Sequence, residues 1–136
     1  MGAPFGDYLL VDYSVSCDEA QIRLRARRVD PGEPRMTMLL FRGVVAYHFK
    51  DDNFGTILLY VIEDSLEAFL RLHEVEFATG FARAGWPGFW TGSLDEALAK
   101  LGARGIRAYR ISSAIGMSGW VLASSFETLA EDVHVL

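Results

Sequence analysis

The sequence predicts an α+β fold: a largely antiparallel five- or six-stranded sheet, with a meander first and a hairpin last, and two helices packed on one face. Three observations lead there. Apolar residues recur with period two through the first part of the chain, the period lengthens to that of a helix between residues 65 and 102, and period two returns after residue 104. Strands, then helices, then strands again is the order of an α+β protein rather than the regular alternation of a parallel sheet.

Residues 8–13 read as a first short strand. In residues 20–28, Ile22, Leu24 and Ala26 point to one side and Arg23, Arg25 and Arg27 to the other, which is the signature of a half-buried strand. The turn at 30–34 holds two prolines and a glycine, residues that cannot serve a central ladder. Its shortness makes the next strand antiparallel to the previous one. That next strand runs over 36–50, with Gly43 as a bulge or bend and Val45, Tyr47 and Phe49 as one stripe. After a turn at 51–55, residues 56–62 read as a strand covered on both sides, completing the meander.

Asp64-Ser65-Leu66-Glu67 has capping-box spacing, with Asp64 as the cap and Glu67 reaching back. Leu66, Phe69, Leu70, His73 and Phe77 then recur at helical intervals, predicting one amphipathic helix over 65–78 with Glu67 and Arg71 as an i,i+4 pair. A second helix starts at the capping box Ser93-Leu94-Asp95-Glu96 and stops near Gly102. Residues 104–113 and 119–125 form the final hairpin, and the tail after Phe126 is read as a short helix.

The chain has 136 residues, a length that suits one domain able to bury about two-thirds of its unfolded surface without metal or disulfide. Its net charge of −5 opposes non-specific binding to phosphate backbones, so a nucleic-acid partner is not expected. The one cysteine, Cys17, sits beside Asp18 and Glu19, which disfavour a thiolate, and one cysteine suits a reducing compartment. Arg23 is the first basic residue, so no secretory signal is expected, and the longest clean apolar run, 57–62, is too short for a membrane span. The expected location is the cytoplasm.

The most unusual segment is 78–92, where Gly80, Gly85, Gly88 and Gly92 are set among Phe81, Trp86, Phe89 and Trp90. Long loops in compact domains are often functional. Either these rings fold inward and close one end of the core, or they form a rigid aromatic anchor for a partner; one ring facing in and another out satisfies both. Arg23, Arg25, Arg27 and Arg28 form a basic stripe, and Arg104, Arg107 and Arg110 suggest another. These arginines grip an acidic partner or phosphate, or they pair with acids on neighbouring elements, such as the five between residues 63 and 76. A charged edge strand also discourages aggregation.

His73 falls in the helical apolar stripe with Glu76 three residues on, a spacing at which the two can share a proton or a metal. No further ligands can be named, because His48 and His134 lie far away in sequence, and a core histidine satisfied by one hydrogen bond is the plainer reading. No metal or cofactor is therefore expected. Arg42, between Phe41 and Gly43, is the charge expected to be half-buried, with Glu63 as its partner. Residues 51–53 and 116–119 lack the patterns of a calcium loop and a phosphate loop respectively.

The run Phe41-Arg42-Gly43-Val44-Val45-Ala46-Tyr47-His48-Phe49, the Asp-rich turn and the strand ending at Glu63 resemble segments of small bacterial proteins, some of which are similar to immunity proteins of toxin–antitoxin loci. The resemblance covers about a quarter of the chain and brings no catalytic residue. It implies a compact domain that works by binding. The expected function is accordingly a non-enzymatic protein-interaction domain contacting its partner through Phe81, Trp86, Phe89 and Trp90 with Arg23, Arg25 and Arg27. A homodimer is also expected, because two short helices leave much of the sheet uncovered. The alternatives are a small-molecule or metal-dependent enzyme using His73 and Glu76 with Tyr47 or Tyr60, and a weak RNA binder acting through the 23–28 strand.

Overall fold

The computed structural model describes residues 3–28 and 36–131; the expected turn at 30–34 and His134 lie outside them. The strands are β1 (Ala3–Ser16), β2 (Gln21–Arg28), β3 (Met36–Arg42), β4 (Ala46–Lys50), β5 (Ile57–Asp64), β6 (Arg107–Ile115), β7 (Ser118–Ala123) and β8 (Ser125–Glu131). The helices α1 (Leu66–Leu72), α2 (Glu74–Ala84) and α3 (Leu94–Ala103) lie between β5 and β6. Every strand pair is antiparallel, in the order β4-β7-β6-β5-β1-β2-β3-β8. The α+β class agrees with the sequence reading. The counts do not: among the described residues there are eight strands rather than five or six, and three helices rather than two.

Two bends explain much of the difference. The stretch 36–50 breaks at Gly43 into β3 and β4, and Ser124 divides β7 from β8. Gly43 has a φ of +64°, and a side chain there would run into that of Ser124, so the position calls for glycine. The bends hold each other. The Ser124 N–H and hydroxyl both donate to the Arg42 carbonyl at 2.9 Å, and the Val45 N–H donates to the Leu122 carbonyl at 2.9 Å. Pairing therefore passes from β3·β8 to β4·β7 while the same two stretches of chain stay side by side. The ends of the strand order thus meet, and the sheet closes on itself as a barrel does.

Four further expectations are corrected. Residues 125–131 form β8, not a helix, because pairing with β3 satisfies a row of backbone groups that a single exposed turn of helix would leave to water. β5 does not continue the meander beside β4; it crosses to lie between β1 and β6. Nor is it covered on both sides. Leu58 and Val61 are buried and their neighbours half-buried, with register shifts between Ile57, Leu58 and Tyr60 turning both buried residues to the same side. The strand expected from 104 begins at Arg107, since Arg104 caps α3 and Gly105 turns with a φ of +70°.

The single helix expected over 65–78 is two. His73 (φ −103°, ψ 9°) closes α1 and opens α2, which runs on to Ala84 until Gly85 stops it in the left-handed conformation. Ser65, not Asp64, is the cap of α1, accepting the Ala68 N–H at 3.2 Å. Asp64 ends β5 and binds Arg110 instead. Ser93 caps α3 as expected, accepting the Glu96 N–H at 3.2 Å.

Two apolar cores result. Ile22, Leu24, Leu39, Phe41, Leu58, Tyr109, Ile111 and Val121 point inward from strands all around the barrel. Phe41 of β3 meets Tyr109 of β6, with ring centroids 5.7 Å apart. The second core lies outside the barrel, where Phe69, Leu70, Phe77, Ala97 and Leu101 of the helices cover Ala108, Trp120 and Leu122. None of the described helices is long and apolar enough to cross a membrane.

Candidate functional site

The site is built around the helical layer. After Gly85 the chain folds back on α2: the Trp86 N–H donates to the Gly80 carbonyl at 3.2 Å, and the Trp90 N–H to the Pro87 carbonyl at 3.0 Å. The Trp86–Pro87 peptide is cis. Gly80 makes the return possible, since a Cβ there would lie 2.6 Å from Cε3 of the Trp86 ring. This turn drives Phe89 and Trp90 into the core, where they are 4% and 2% exposed. Neither is at the surface to touch a partner. Phe81 stands on α2 itself, not in a loop, and is 43% exposed, while Trp86 is half-buried. The expected aromatic anchor is thus divided: two rings close the core and two reach solvent.

Trp120 of β7 is the centre of this layer. Its ring lies 5.1 Å from Phe69, 5.6 Å from Phe77, 5.8 Å from His73, and 6.3 Å from both His48 and Trp86. His48 reaches it because β4 pairs with β7 and sets His48 opposite Trp120. Gly119 lets the two strands approach, as a side chain there would strike the His48 carbonyl. The sequence treats His48 and His73 as distant. The β4·β7 pairing brings one to the Trp120 indole, and the packing of the helices on β7 brings the other.

His73 lies half-buried on the cluster's rim. Its Nδ1 shares a hydrogen bond of 2.9 Å with Glu76 Oε2, and its ring stacks on Phe77 at 5.5 Å. Neither tyrosine offered as its catalytic companion is with it. Tyr47 packs against Phe49, and Tyr60 stands opposite Ser112 in the sheet. Among the described residues no group of three or more His, Cys, Asp or Glu could hold a metal ion.

The arginines divide as well. Arg23, Arg25 and Arg27 do face away from Ile22, Leu24 and Ala26, but β2 is no edge strand, being flanked by β1 and β3. Arg25 binds Asp12 at 2.8 Å, and Arg23 lies 3.4 Å from the Gln21 amide oxygen. Arg107 forks onto Glu63 at 3.1 and 3.2 Å. Arg110 reaches Asp64 at 3.0 and 3.4 Å, and that hydrogen bonding holds its guanidinium pKa above the ordinary value. Arg42 is exposed and bonds Glu127 of β8, correcting both its expected burial and its expected partner Glu63. With Glu67 against Arg71 and Glu76 against His73, Glu74 alone of the five acids at 63–76 has no ion-pair partner among the described residues.

Two openings flank the Trp120 cluster. A small one of about 270 Å³ lies between the β1–β2 turn, the start of β4 and the Trp86-Pro87-Gly88 edge, with Val15, Val44 and Tyr47 in its wall. A larger groove of about 770 Å³ runs between α1 and the outer face of β6 and β7, floored by Phe69 and Trp120. Beside that groove Leu72 and Val75, on either side of the break at His73, are each 80% exposed. No residue-pattern argument singled them out, although both fall outside the stripe of Phe69, Leu70, His73 and Phe77. In comparisons with known proteins, the chain matches no family model, no curated protein and no solved structure.

Proposed function

We propose that this chain is a non-enzymatic, immunity-like binding domain that recognises a protein partner through the corner where α1 meets α2. The observation that carries this reading is the pair Leu72 and Val75. Every other leucine, isoleucine or valine of α1 to α3 is buried or half-buried, whereas these two project into solvent at 80% exposure. Exposed apolar side chains rimmed by polar residues mark interaction surfaces. Burying each against a partner would contribute about 1.5–3 kcal/mol. Glu74 and Glu76 beside them in sequence, both exposed, supply the polar rim.

The test is reconstitution with the product of the reading frame adjacent to its gene, the place where a toxin would be encoded. The expected result is a complex on size exclusion whose affinity falls at least about tenfold with Leu72→Asp and Val75→Asp together. Circular dichroism should be unchanged, and Phe54→Asp, at a fully exposed site in the β4–β5 turn, should bind as the parent does. Full affinity in the double variant would remove the helix corner from the reading.

A further inference from the structure

The helical layer roofs only part of the outer sheet face. It covers Ala108 and Leu122 but not Ser112, Ser118 and Lys50, and the uncovered ledge is the 770 Å³ groove beneath α1. Its size is that of a small-molecule site. The two ends of the groove differ in chemistry. One end is apolar, with Phe69 and Trp120 as floor and Leu72 as wall. At the other, Lys50 stands opposite Ser118 across the β4·β7 ladder.

Charge decides which ligand suits it. Arg110 lines the groove but is matched by Asp64 through two hydrogen bonds, and His73 is matched by Glu76. Lys50 has no ion-pair partner among the described residues, so it is the unbalanced charge of the groove. The Ser113 hydroxyl is engaged by the Met117 carbonyl, whereas those of Ser112 and Ser118 bond to none of the described residues. One ammonium and two open hydroxyls match a singly charged group with two acceptor oxygens; a phosphate monoester would leave negative charge unmatched.

We propose that the groove binds a small aromatic or otherwise amphipathic carboxylate. Its anion meets Lys50, Ser112 and Ser118, and its apolar body lies on Phe69, Trp120 and Leu72. This site is distinct from the protein-contact corner, with which it shares only Leu72, and it stands or falls without it.

Titration of the isotope-labelled full chain with phenylacetate, read by amide and indole chemical shifts, tests the proposal. Saturable shifts are expected at Ser112, Ser118 and the Trp120 indole N–H, with the neutral isostere phenylacetamide binding about tenfold more weakly or worse. Lys50→Glu should lose at least about tenfold in affinity with the rest of its spectrum unchanged, while Lys50→Arg stays near the parent. The proposal is overturned if the amide binds as well as the acid, or if Lys50→Glu leaves affinity intact. It is equally overturned if phenylacetate and indole-3-acetate both fail to give saturable shifts, or if the shifts gather around Val15 and Tyr47 instead.

Discussion

The barrel interior and the helical layer solve the same problem, excluding water from one sheet, with different residues. Inside the barrel most buried side chains are aliphatic, and its principal rings, Phe41, Tyr109 and Phe126, lie within 5.7 Å of one another. Strands close this space from every side, so medium-sized side chains in successive rows fill it. Outside, three short helices and one turn must cover an open face with few positions. Rings bridge those wider gaps: Phe69, Phe77, Phe89, Trp90 and Trp120. Rings with polar atoms then collect at the rim, as His48, His73 and Trp86 do. At the end of the barrel Tyr13 and Tyr47 likewise pack their rings on Phe49. The groove floored by Phe69 and Trp120 and both exposed apolar residues of the corner belong to the helical side, whereas the smaller opening sits at the end of the barrel, with Val15, Ile22 and Val44 in its wall.

The sharpest way to break this comparison is to cut a ring from each core. Phe41→Ala and Phe77→Ala should each cost about 3–5 kcal/mol, since both side chains are fully buried. Their consequences should differ. Trp86, Trp90 and Trp120, the chain's three tryptophans, all belong to the helical layer, so their fluorescence reports that layer alone. In a denaturant series on Phe77→Ala, fluorescence should change before far-ultraviolet circular dichroism does; in Phe41→Ala the two should move together. Coincident curves for both variants would merge the two cores into one.

A smaller effect is expected from Gly80→Ala. The added methyl meets Trp86 and must displace the turn, costing about 1–3 kcal/mol and shifting tryptophan emission to the red. Unchanged emission would mean that Gly80 does not set the position of Trp86.

The barrel interior can be probed by alkali. Burial, with a smaller contribution from Glu63, raises the Tyr109 phenol above its ordinary value. The native state thus holds this proton more tightly than the unfolded chain. The associated stability is present below about pH 10 and is lost as the pH rises through the raised value. Tyr109→Phe should accordingly flatten the fall in urea midpoint between pH 9.5 and 11. Part of the fall should persist through Tyr13, whose hydrogen bond to Asp52 raises it too. The smallest effect belongs to the surface: a double-mutant cycle on Glu63 and Arg107 should give no more than about 1 kcal/mol, because the arginine is mostly exposed.

Local patterns were readable wherever one periodicity met one solvent. The alternation of Ile22, Leu24 and Ala26 with three arginines identifies the inner and outer faces of β2 without knowledge of its neighbours. Ser93 before an amphipathic run marks the start of α3 because its hydroxyl satisfies a backbone N–H close by in sequence. Gly43 shows as a bend because a glycine inside an apolar strand marks a local break, here with a φ of +64°. Misreadings arose where a distant partner decided the outcome. The 125–131 stretch becomes β8 because β3 offers a free row of backbone groups, and the helix breaks at His73, which no proline or glycine announces. The Trp86–Trp90 segment had two readings, and Gly80 in the preceding helix separates them by admitting Trp86.

What the chain alone determined about this protein is its α+β class, the faces of β2, the cap of α3 and a surface short of positive charge. These depend on residues a few positions apart, where periodicity, backbone propensity and hydrogen bonding act before the chain folds back. The tertiary structure decided the closure of the sheet, the partner of each arginine, the meeting of His48 and His73 at Trp120, and the groove beneath α1. Each of those needs strands far apart in sequence to lie side by side, and that adjacency is set by packing the whole chain at once.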